Sequence, residues 1–345
     1  MKLQRSFLIA IILCIVGLSA WELYWRSNGY YPDLDDNKDL WSVQRARVEK
    51  ATKNDVLLLG ASRVLFDIQL DEWEEVTGKR PIQLASEGSS PLPVFRDIVE
   101  NTDFNGTIIV GVAPPVFFDY AKTSSVSWKW PQARIAHFYD RTYAQRLNHL
   151  ISLPLQKNIA FLSTSEMETA DPIDLKTLLD RVKIGNRIPA GGPPPLFNFK
   201  DIAVDRNSKM KDRTVTDTAF ANSITKVWQF YGQNSPPPDK DGVIKYFIED
   251  VKKFKEKGGN LILVRCPSTG GSRMGESHVF ARHDFWDQVV LQANVNGYHF
   301  EDYDQLKHFD CPEWSHLSAS DASIFTTELA KIMQNDGALT NQKIN

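Results

Sequence analysis

Two short segments carry the side chains best suited to acyl-transfer chemistry. Ser62 ends a Gly-Ala-Ser turn between an apolar run and a helical pattern, and His316 stands three residues after Glu313. A serine hydroxyl becomes a nucleophile when a neutral imidazole takes its proton, and a carboxylate can hold that imidazole in place. We therefore interpret Ser62 as a candidate nucleophile, His316 as its base and Glu313 as the orienting carboxylate, with Asp310 as the alternative orienter.

Each motif taken alone also fits a purely structural role. Small residues at a strand-to-helix turn often cap the helix, and a lone histidine beside a helix start is commonly structural. The capping pattern from Ser318 to Asp321 starts a helix two residues after His316. The catalytic interpretation therefore depends on the elements that surround the motifs.

Alternating apolar and amphipathic segments predict an α/β fold with a parallel sheet of about five strands between helical layers. Strands are predicted at residues 55–60, 82–85, 107–112, 260–265 and 298–302, and helices at 64–77, 92–101, 243–257, 284–295 and 319–334. Ser62 follows the first strand and His316 follows the fifth. Since ligands collect at the carboxyl edge of such sheets, the two side chains are expected to meet there.

At this point the chain resembles the SGNH (GDSL-like) hydrolase superfamily, in particular its membrane-anchored polysaccharide O-acetyltransferase and esterase branch. That family carries a serine in a Gly-x-Ser turn after the first strand and an Asp-x-x-His motif near the C-terminus. The resemblance covers roughly residues 54–118 and 242–333 and implies the flavodoxin-like strand order 2-1-3-4-5. It also implies Ser62 as nucleophile and His316 as base, with Glu313 in place of the family's aspartate.

The resemblance implies an oxyanion hole formed by the N–H groups of Ser62 and Gly88. The family's third donor is an asparagine after the third strand, but Ala113 stands at that position here. Losing such a donor can cost roughly 3 to 4 kcal/mol of transition-state stabilisation. Arg63 and Arg265, each after a predicted strand, are candidate substitutes that could bind substrate, and the alternative for both is a salt bridge or a solvated cation.

Cysteine and histidine usage leaves two smaller questions open. The predicted strand order brings Cys266 and Cys311 close together, so they are a candidate disulfide or two separate buried thiols. Glu276, His278 and His283 match no metal-ligand spacing, and no metal and no cofactor is predicted.

The N-terminal segment predicts a membrane anchor. Residues 7–23 are almost entirely apolar, basic residues precede them and aromatic residues follow. A transmembrane signal anchor over 1–27 is favoured over a cleaved signal peptide, whose apolar core is shorter. The expected location is the cytoplasmic (inner) membrane in a single pass, with the N-terminus inside and the domain in the periplasm or outside the cell.

The remaining chain divides by composition into further segments. We predict a polar stalk at 28–53 with a short helix around 40–51, the two halves of the SGNH-like domain at 54–120 and 242–335, and a disordered tail at 336–345. Residues 121–241 break the strand and helix rhythm and are predicted to be a mostly helical insertion, with helices at 139–152 and 173–182. The insertion's aromatic residues could stack on sugar rings or form a core. They are Trp128, Trp130, Phe138, Tyr139 and Trp228.

Charge and family resemblance together limit the function. The net charge of −3 with interspersed signs makes nucleic acid an unlikely class of partner. The resemblance implies a serine esterase or O-acyltransferase, hence a hydrolase or transferase, that acts through a Ser62 acyl-enzyme on acetyl or other acyl esters of an envelope polysaccharide. A membrane acyl-donor protein is a candidate partner. The alternative is an SGNH-like protein without turnover that binds or assembles the polysaccharide.

Overall fold

The computed structural model describes residues 2–119, 125–162 and 193–339. A five-stranded parallel sheet forms its centre, as predicted for an α/β fold. Its strands are β1 (Val56–Leu59), β2 (Ile82–Gln83), β3 (Thr107–Gly111), β6 (Asn260–Arg265) and β7 (Asn296–His299). They lie in the order β2-β1-β3-β6-β7, and every neighbouring pair is parallel.

The chain also contains an antiparallel hairpin that the sequence did not predict. Its strands are β4 (Lys200–Ile202) and β5 (Ser208–Met210), and it belongs to the inserted part of the chain. The expected order 2-1-3-4-5 counted five strands only. Three-residue strands with charged side chains carry too little apolar pattern to be recognised as strands.

Helices cover both faces of the sheet, which gives three layers. The helices are α1 (Lys2–Ser27), α2 (Lys38–Val48), α3 (Ser62–Asp67), α4 (Leu70–Thr77), α5 (Leu92–Asn101), α6 (Pro114–Phe117), α7 (Val126–Asp140), α8 (Tyr143–Asn158), α9 (Asp212–Thr216), α10 (Thr218–Asn234), α11 (Lys240–Glu256), α12 (Gly270–Val279), α13 (Trp286–Ala293) and α14 (Ala319–Asn335). Alternate strand residues divide between the two cores: Leu57 and Leu59 pack with α5, α11 and α13, and Leu58 packs with α3, α4 and α14. Burial on both faces explains why β1 is a continuous leucine run.

The predicted stalk at 28–53 is wrong for most of its length, because α2 packs into the domain. Trp41 is fully buried and its Nε1 donates to the Leu84 carbonyl at 3.0 Å. Arg45 is fully buried as well, and its Nε donates to Asp97 at 2.6 Å. The polar composition suggested an exposed segment, because the buried partners of its charged residues lie far away in the sequence.

Several element boundaries also differ from the predictions. The helix expected at 64–77 is two helices, α3 and α4, because the backbone N–H of Gln69 donates to Thr326 Oγ1 instead of continuing the helix. The helix expected at 139–152 lies across α7 and α8, with Thr142 as the N-cap of α8. The helix expected at 173–182 lies outside the described residues.

The first residues of the predicted disordered tail are packed against the domain. Ala338 and Leu339 are buried, and Asn260 Nδ2 donates to the Ala338 carbonyl at 2.9 Å. The rest of the tail, 340–345, lies outside the described residues. The boundary of the folded domain is therefore at least four residues later than predicted.

Helix α1 is long and apolar enough to cross a membrane. Residues Leu3–Ser27 have a mean hydropathy of 2.2 in their most apolar window, and none of that window is buried against the rest of the protein. The last turns of α1 are bonded to the domain. Glu22 accepts hydrogen bonds there from the backbone N–H groups of Ala160 and Phe161.

Candidate active site

Ser62 is the first residue of α3, directly after β1. A Cβ on Gly60 would lie 2.5 Å from Val64 Cγ2, so this tight strand-to-helix turn requires glycine at residue 60. Ser62 is partly exposed, and its hydroxyl makes no hydrogen bond within the described part of the chain. The candidate nucleophile therefore lies at the carboxyl edge of the sheet, where the sequence predicted it.

His316 lies in the turn before α14 and is held by Glu313. The Nδ1 atom is 2.8 Å from Glu313 Oε1, and the same oxygen accepts the backbone N–H of His316 at 2.7 Å. Trp228 Nε1 donates to the other oxygen, Oε2. The extra methylene of glutamate thus does not prevent the contact, because the carboxylate folds back on its own turn.

Asp310 is not the orienter. Its side chain is exposed, and its Oδ1 accepts the backbone N–H of Cys311 at 3.0 Å. An aspartate that accepts the N–H of the next residue stabilises the local turn. The imidazole is bonded by Glu313 instead.

The second ring nitrogen of His316, Nε2, has no hydrogen-bond partner in the described ranges of the chain. With Glu313 ionised, the hydrogen-bond network assigns the proton to Nδ1, so Nε2 carries the lone pair that a general base needs. Nε2 is buried and makes no hydrogen bond with any described residue. Three aromatic rings pack around the imidazole, with centroids 4.6 Å away for Phe66, 5.6 Å for Phe199 and 6.0 Å for Trp228. A buried polar atom without a partner calls for a functional explanation.

Helix α3 packs directly against the turn that carries His316. Leu317 N donates to Asp67 Oδ1 at 3.0 Å, and Arg63 Nε donates to the Ser315 carbonyl at 3.2 Å. Phe66 contacts the imidazole and lies one turn after Ser62 on the same side of the helix. The structure therefore brings the two motifs to one edge, although no hydrogen bond joins Ser62 to His316. Hydrogen bonds between a nucleophile and its base are often long in unliganded sites.

The backbone N–H groups of Ser62 and Gly88 are the two expected oxyanion donors. Ser62 N–H belongs to the first turn of α3, and such groups have no partner within the helix. Neither this N–H nor that of Gly88 donates to a described residue. Gly88 has a φ of 55°, and a Cβ there would meet the Trp130 ring at 3.0 Å. Glycine is therefore required at residue 88 by both backbone conformation and space.

A narrow crevice lies between the carboxyl ends of β1, β3 and β6. Ala113, which stands where the resemblance implies an asparagine, forms part of its lining. The crevice is too narrow to admit a water molecule, so it does not hold a substrate.

Arg63 and Arg265 are both ion-paired with Glu276. Arg63 Nη2 lies 2.5 Å from Glu276 Oε1, Arg265 Nη2 donates to Oε2, and Ser268 Oγ donates to Oε2 at 2.8 Å. Burial opposes charge on Glu276, but the two guanidinium groups outweigh it and lower its pKa to about 2. Burial, followed by repulsion from Arg63, lowers the pKa of Arg265 to about 10. Both arginines therefore form salt bridges, which was one of the alternatives to substrate binding. Of their buried nitrogen atoms, only Nη1 of Arg63 has no partner among the described residues.

Cys266 and Cys311 are free, buried thiols, so the candidate disulfide is not formed. Burial raises the pKa of both thiols well above the usual range. The segments that carry them are neighbours as expected, since Thr269 Oγ1 accepts the Cys311 N–H at 3.1 Å. Both side chains pack in the core beneath the site, which provides an apolar surrounding for two reduced thiols.

Sequence reasoning missed Glu276 and Asp67. Glu276 appeared only as a weak metal-ligand candidate, and no sequence signal tied it to the two arginines. Burial raises the pKa of Asp67 well above its usual range, and its Oδ2 has no partner in the described chain. Asp67 therefore supports the His316 turn by accepting the Leu317 N–H, and burial favours the protonated form of its side chain.

Comparison with known proteins adds no family assignment. No family model matches this chain, and no curated protein matches its sequence.

Proposed function

We propose that the protein is a membrane-anchored serine esterase or O-acyltransferase of the SGNH type. The observation that carries this proposal is the buried Glu313–His316 pair, whose free Nε2 lies in the turn packed against the helix that begins with Ser62. A fixed carboxylate, an oriented imidazole and a hydroxyl at a helix start are the parts of an acylation site. With the inserted hairpin left out of the count, the sheet order is also compatible with the SGNH arrangement.

The proposed reaction proceeds through an acyl-enzyme. The Ser62 oxygen attacks the acyl carbonyl while Nε2 of His316 takes the hydroxyl proton. The N–H groups of Ser62 and Gly88 stabilise the oxyanion that forms on the carbonyl oxygen. The intermediate collapses with loss of the alcohol, which receives the proton from His316. Water or a sugar hydroxyl then attacks the acyl group and frees the serine.

The proposed substrate is an acyl ester, in particular an acetyl ester, of an envelope polysaccharide. Trp130 supports a saccharide because it is 38% exposed and its ring lies against Gly88, beside the proposed oxyanion position. Aromatic faces next to a reactive centre are suited to sugar rings. We infer that α1 anchors the protein in the cytoplasmic membrane with the domain on the exported side, in the periplasm or outside the cell.

The test uses the full-length protein in detergent or lipid. We expect wild type to hydrolyse p-nitrophenyl acetate and to react with a serine-directed fluorophosphonate, and we expect Ser62→Ala to do neither. Ser277→Ala, which changes an exposed helical serine, is the matched control and should keep wild-type activity. Equal rates in wild type and Ser62→Ala would remove Ser62 from the mechanism.

A second candidate function is polysaccharide binding or assembly without turnover. Two observations favour it: Ala113 lacks the side-chain donor of the family, and no hydrogen bond joins Ser62 to His316. Retention of an acetylated polysaccharide by both wild type and Ser62→Ala, together with no ester hydrolysis by either, would support this candidate. Binding lost in Trp130→Ala but kept in Ser62→Ala would place the saccharide beside Gly88.

A further inference from the structure

Helix α8 has an exposed apolar face. Five large apolar side chains on this helix are between 43% and 80% exposed: Tyr143, Leu147, Leu150, Ile151 and Leu155. Their spacing of three and four residues places them on one side of an α-helix. Monomeric soluble proteins rarely expose a contiguous apolar surface of this kind, and such surfaces mark contacts with a partner or a membrane. We call these five residues the α8 face.

The opposite side of α8 is fixed to the domain. Leu153 packs on the cluster of Leu34 and Leu40, and His149 is buried. Gln156 Oε1 accepts the backbone N–H of Asp35 at 3.1 Å. Because these contacts hold the helix from the other side, the α8 face points away from the domain.

The end of α8 is bonded to the end of the proposed membrane helix. Arg26 of α1 donates to the carbonyl of Asn158 at 3.0 Å, and Glu22 accepts the N–H of Ala160 at 2.9 Å. Trp21 and Tyr24 surround this junction on α1 and are half-exposed, as aromatic residues are where a helix leaves the bilayer. The junction therefore puts the C-terminal end of α8 at the level of the lipid headgroups.

The charges of α8 suit an anionic surface. The helix contains no aspartate or glutamate, and Arg146 and Lys157 are exposed on one border of the α8 face. Basic side chains next to an apolar face are typical of helices that lie in the membrane interface, where they contact lipid phosphates.

We propose that α8 lies in the interface of a phospholipid bilayer, in the leaflet on the same side as the domain. The α8 face is buried at the boundary between headgroups and acyl chains, and α1 and α8 together fix the domain against the membrane. This inference rests on the proposed anchoring by α1, and it adds a second membrane contact to that anchor.

The experiment measures lipid contact at single labelled positions. The full chain carrying Cys14→Ala retains only buried cysteines and is reconstituted in vesicles of phosphatidylcholine and phosphatidylglycerol. An NBD fluorophore is attached at Leu150→Cys or, in a second variant, at Leu147→Cys. The matched control is Leu291→Cys, a leucine of α13 that is 70% exposed. A label at Leu13→Cys reports insertion of α1 independently.

We expect labels at Leu150 and Leu147 to lose most of their emission to shallow doxyl-labelled lipid and to resist aqueous iodide. The Leu291 label should show the reverse. If the Leu13 label is quenched by deep doxyl-labelled lipid while both α8 labels behave like Leu291, the anchor stands and the α8 proposal is overturned. If the Leu13 label is not quenched, the anchoring proposal and the α8 proposal both fail.

One further outcome also overturns the α8 proposal. Labels on the α8 face that resist both iodide and doxyl-labelled lipid would show that protein covers this surface, either residues 163–192 of the same chain or a second copy. Replacing phosphatidylglycerol with phosphatidylcholine should weaken quenching at Leu150, because Arg146 and Lys157 border the α8 face and contact anionic headgroups. Quenching at Leu13 should not change, because this residue lies in the apolar part of α1.

Discussion

Two buried polar clusters lie near each other at the carboxyl edge of the sheet, and they differ in how completely their atoms are paired. In the first, Glu276 receives hydrogen bonds from Arg63, Arg265 and Ser268 and has no free oxygen. In the second, Glu313 holds His316 through Nδ1, and Nε2 has no partner in the described part of the chain. Apart from Nη1 of Arg63, the first cluster is paired among the described residues and can support the fold, whereas the unpaired imidazole nitrogen of the second can accept a proton.

The largest expected effect tests the open cluster. His316→Gln removes the base, and we expect a fall in ester hydrolysis on the order of 10⁴-fold, since base and nucleophile act as one unit. Initial rates with p-nitrophenyl acetate measure it. His278→Gln, an exposed histidine on α12, is the control and should keep its activity. Similar rates in both variants would mean that the open nitrogen has no catalytic role.

The next effect tests the paired cluster through stability. Glu276→Gln leaves two buried guanidinium groups without their counter-charge, so we expect a loss of about 3 to 5 kcal/mol in the free energy of unfolding. Urea denaturation of the full chain measures this loss. Glu301→Gln removes a partly exposed partner of Arg273 and should cost less than about 1 kcal/mol. Equal losses would show that the buried cluster is not specially stabilising.

A third change introduces an amide at residue 113, where the resemblance to SGNH hydrolases implies an oxyanion donor. Ala113→Asn adds an amide at the N-cap of α6, a position that asparagine favours. We expect turnover to rise by up to about 10²-fold, because one such donor has an effect of this order. Ala113→Leu has similar size and no donor, so an equal rise there would exclude the hydrogen bond as the cause. No rise in either variant would favour binding without turnover.

The smallest effect concerns Asp67 and pH. Burial raises the folded pKa of Asp67, so the native state keeps a proton that the unfolded state releases above about pH 3.9. This group therefore lowers stability as pH rises from the unfolded toward the folded pKa. Asp67→Asn resembles the protonated acid, so its stability relative to wild type should increase with pH over that range. Denaturation at several pH values measures it, and a difference that does not vary with pH would contradict a neutral Asp67.

Local sequence signals predicted the sheet and located the turns that contain Ser62 and His316. The leucine run before Gly60 and the capping serine at residue 318 act within a few residues, so their positions follow from periodicity and turn chemistry. Glu313 could be named as orienter because it stands on the same turn as His316. Signals of this range do not depend on the rest of the fold.

Contacts between distant segments could not be predicted in the same way. Arg45 pairs with Asp97 and Arg63 with Glu276 across 52 and 213 residues, and nothing in either local pattern names the partner. For that reason the segment before β1 was mistaken for a stalk, and the two arginines stayed undecided between substrate binding and a salt bridge. The α8 face was also unrecognised, because exposure depends on what packs against the helix.

The sequence by itself determined the alternation of strands and helices, the apolar N-terminal segment and the two motifs that contain Ser62 and His316. Only the tertiary structure decided which charged groups neutralise one another and which polar atom remains open at the edge of the sheet. The physical reason is that hydrophobic periodicity is a property of neighbouring residues. Pairing and burial are instead properties of surfaces brought together by the whole chain.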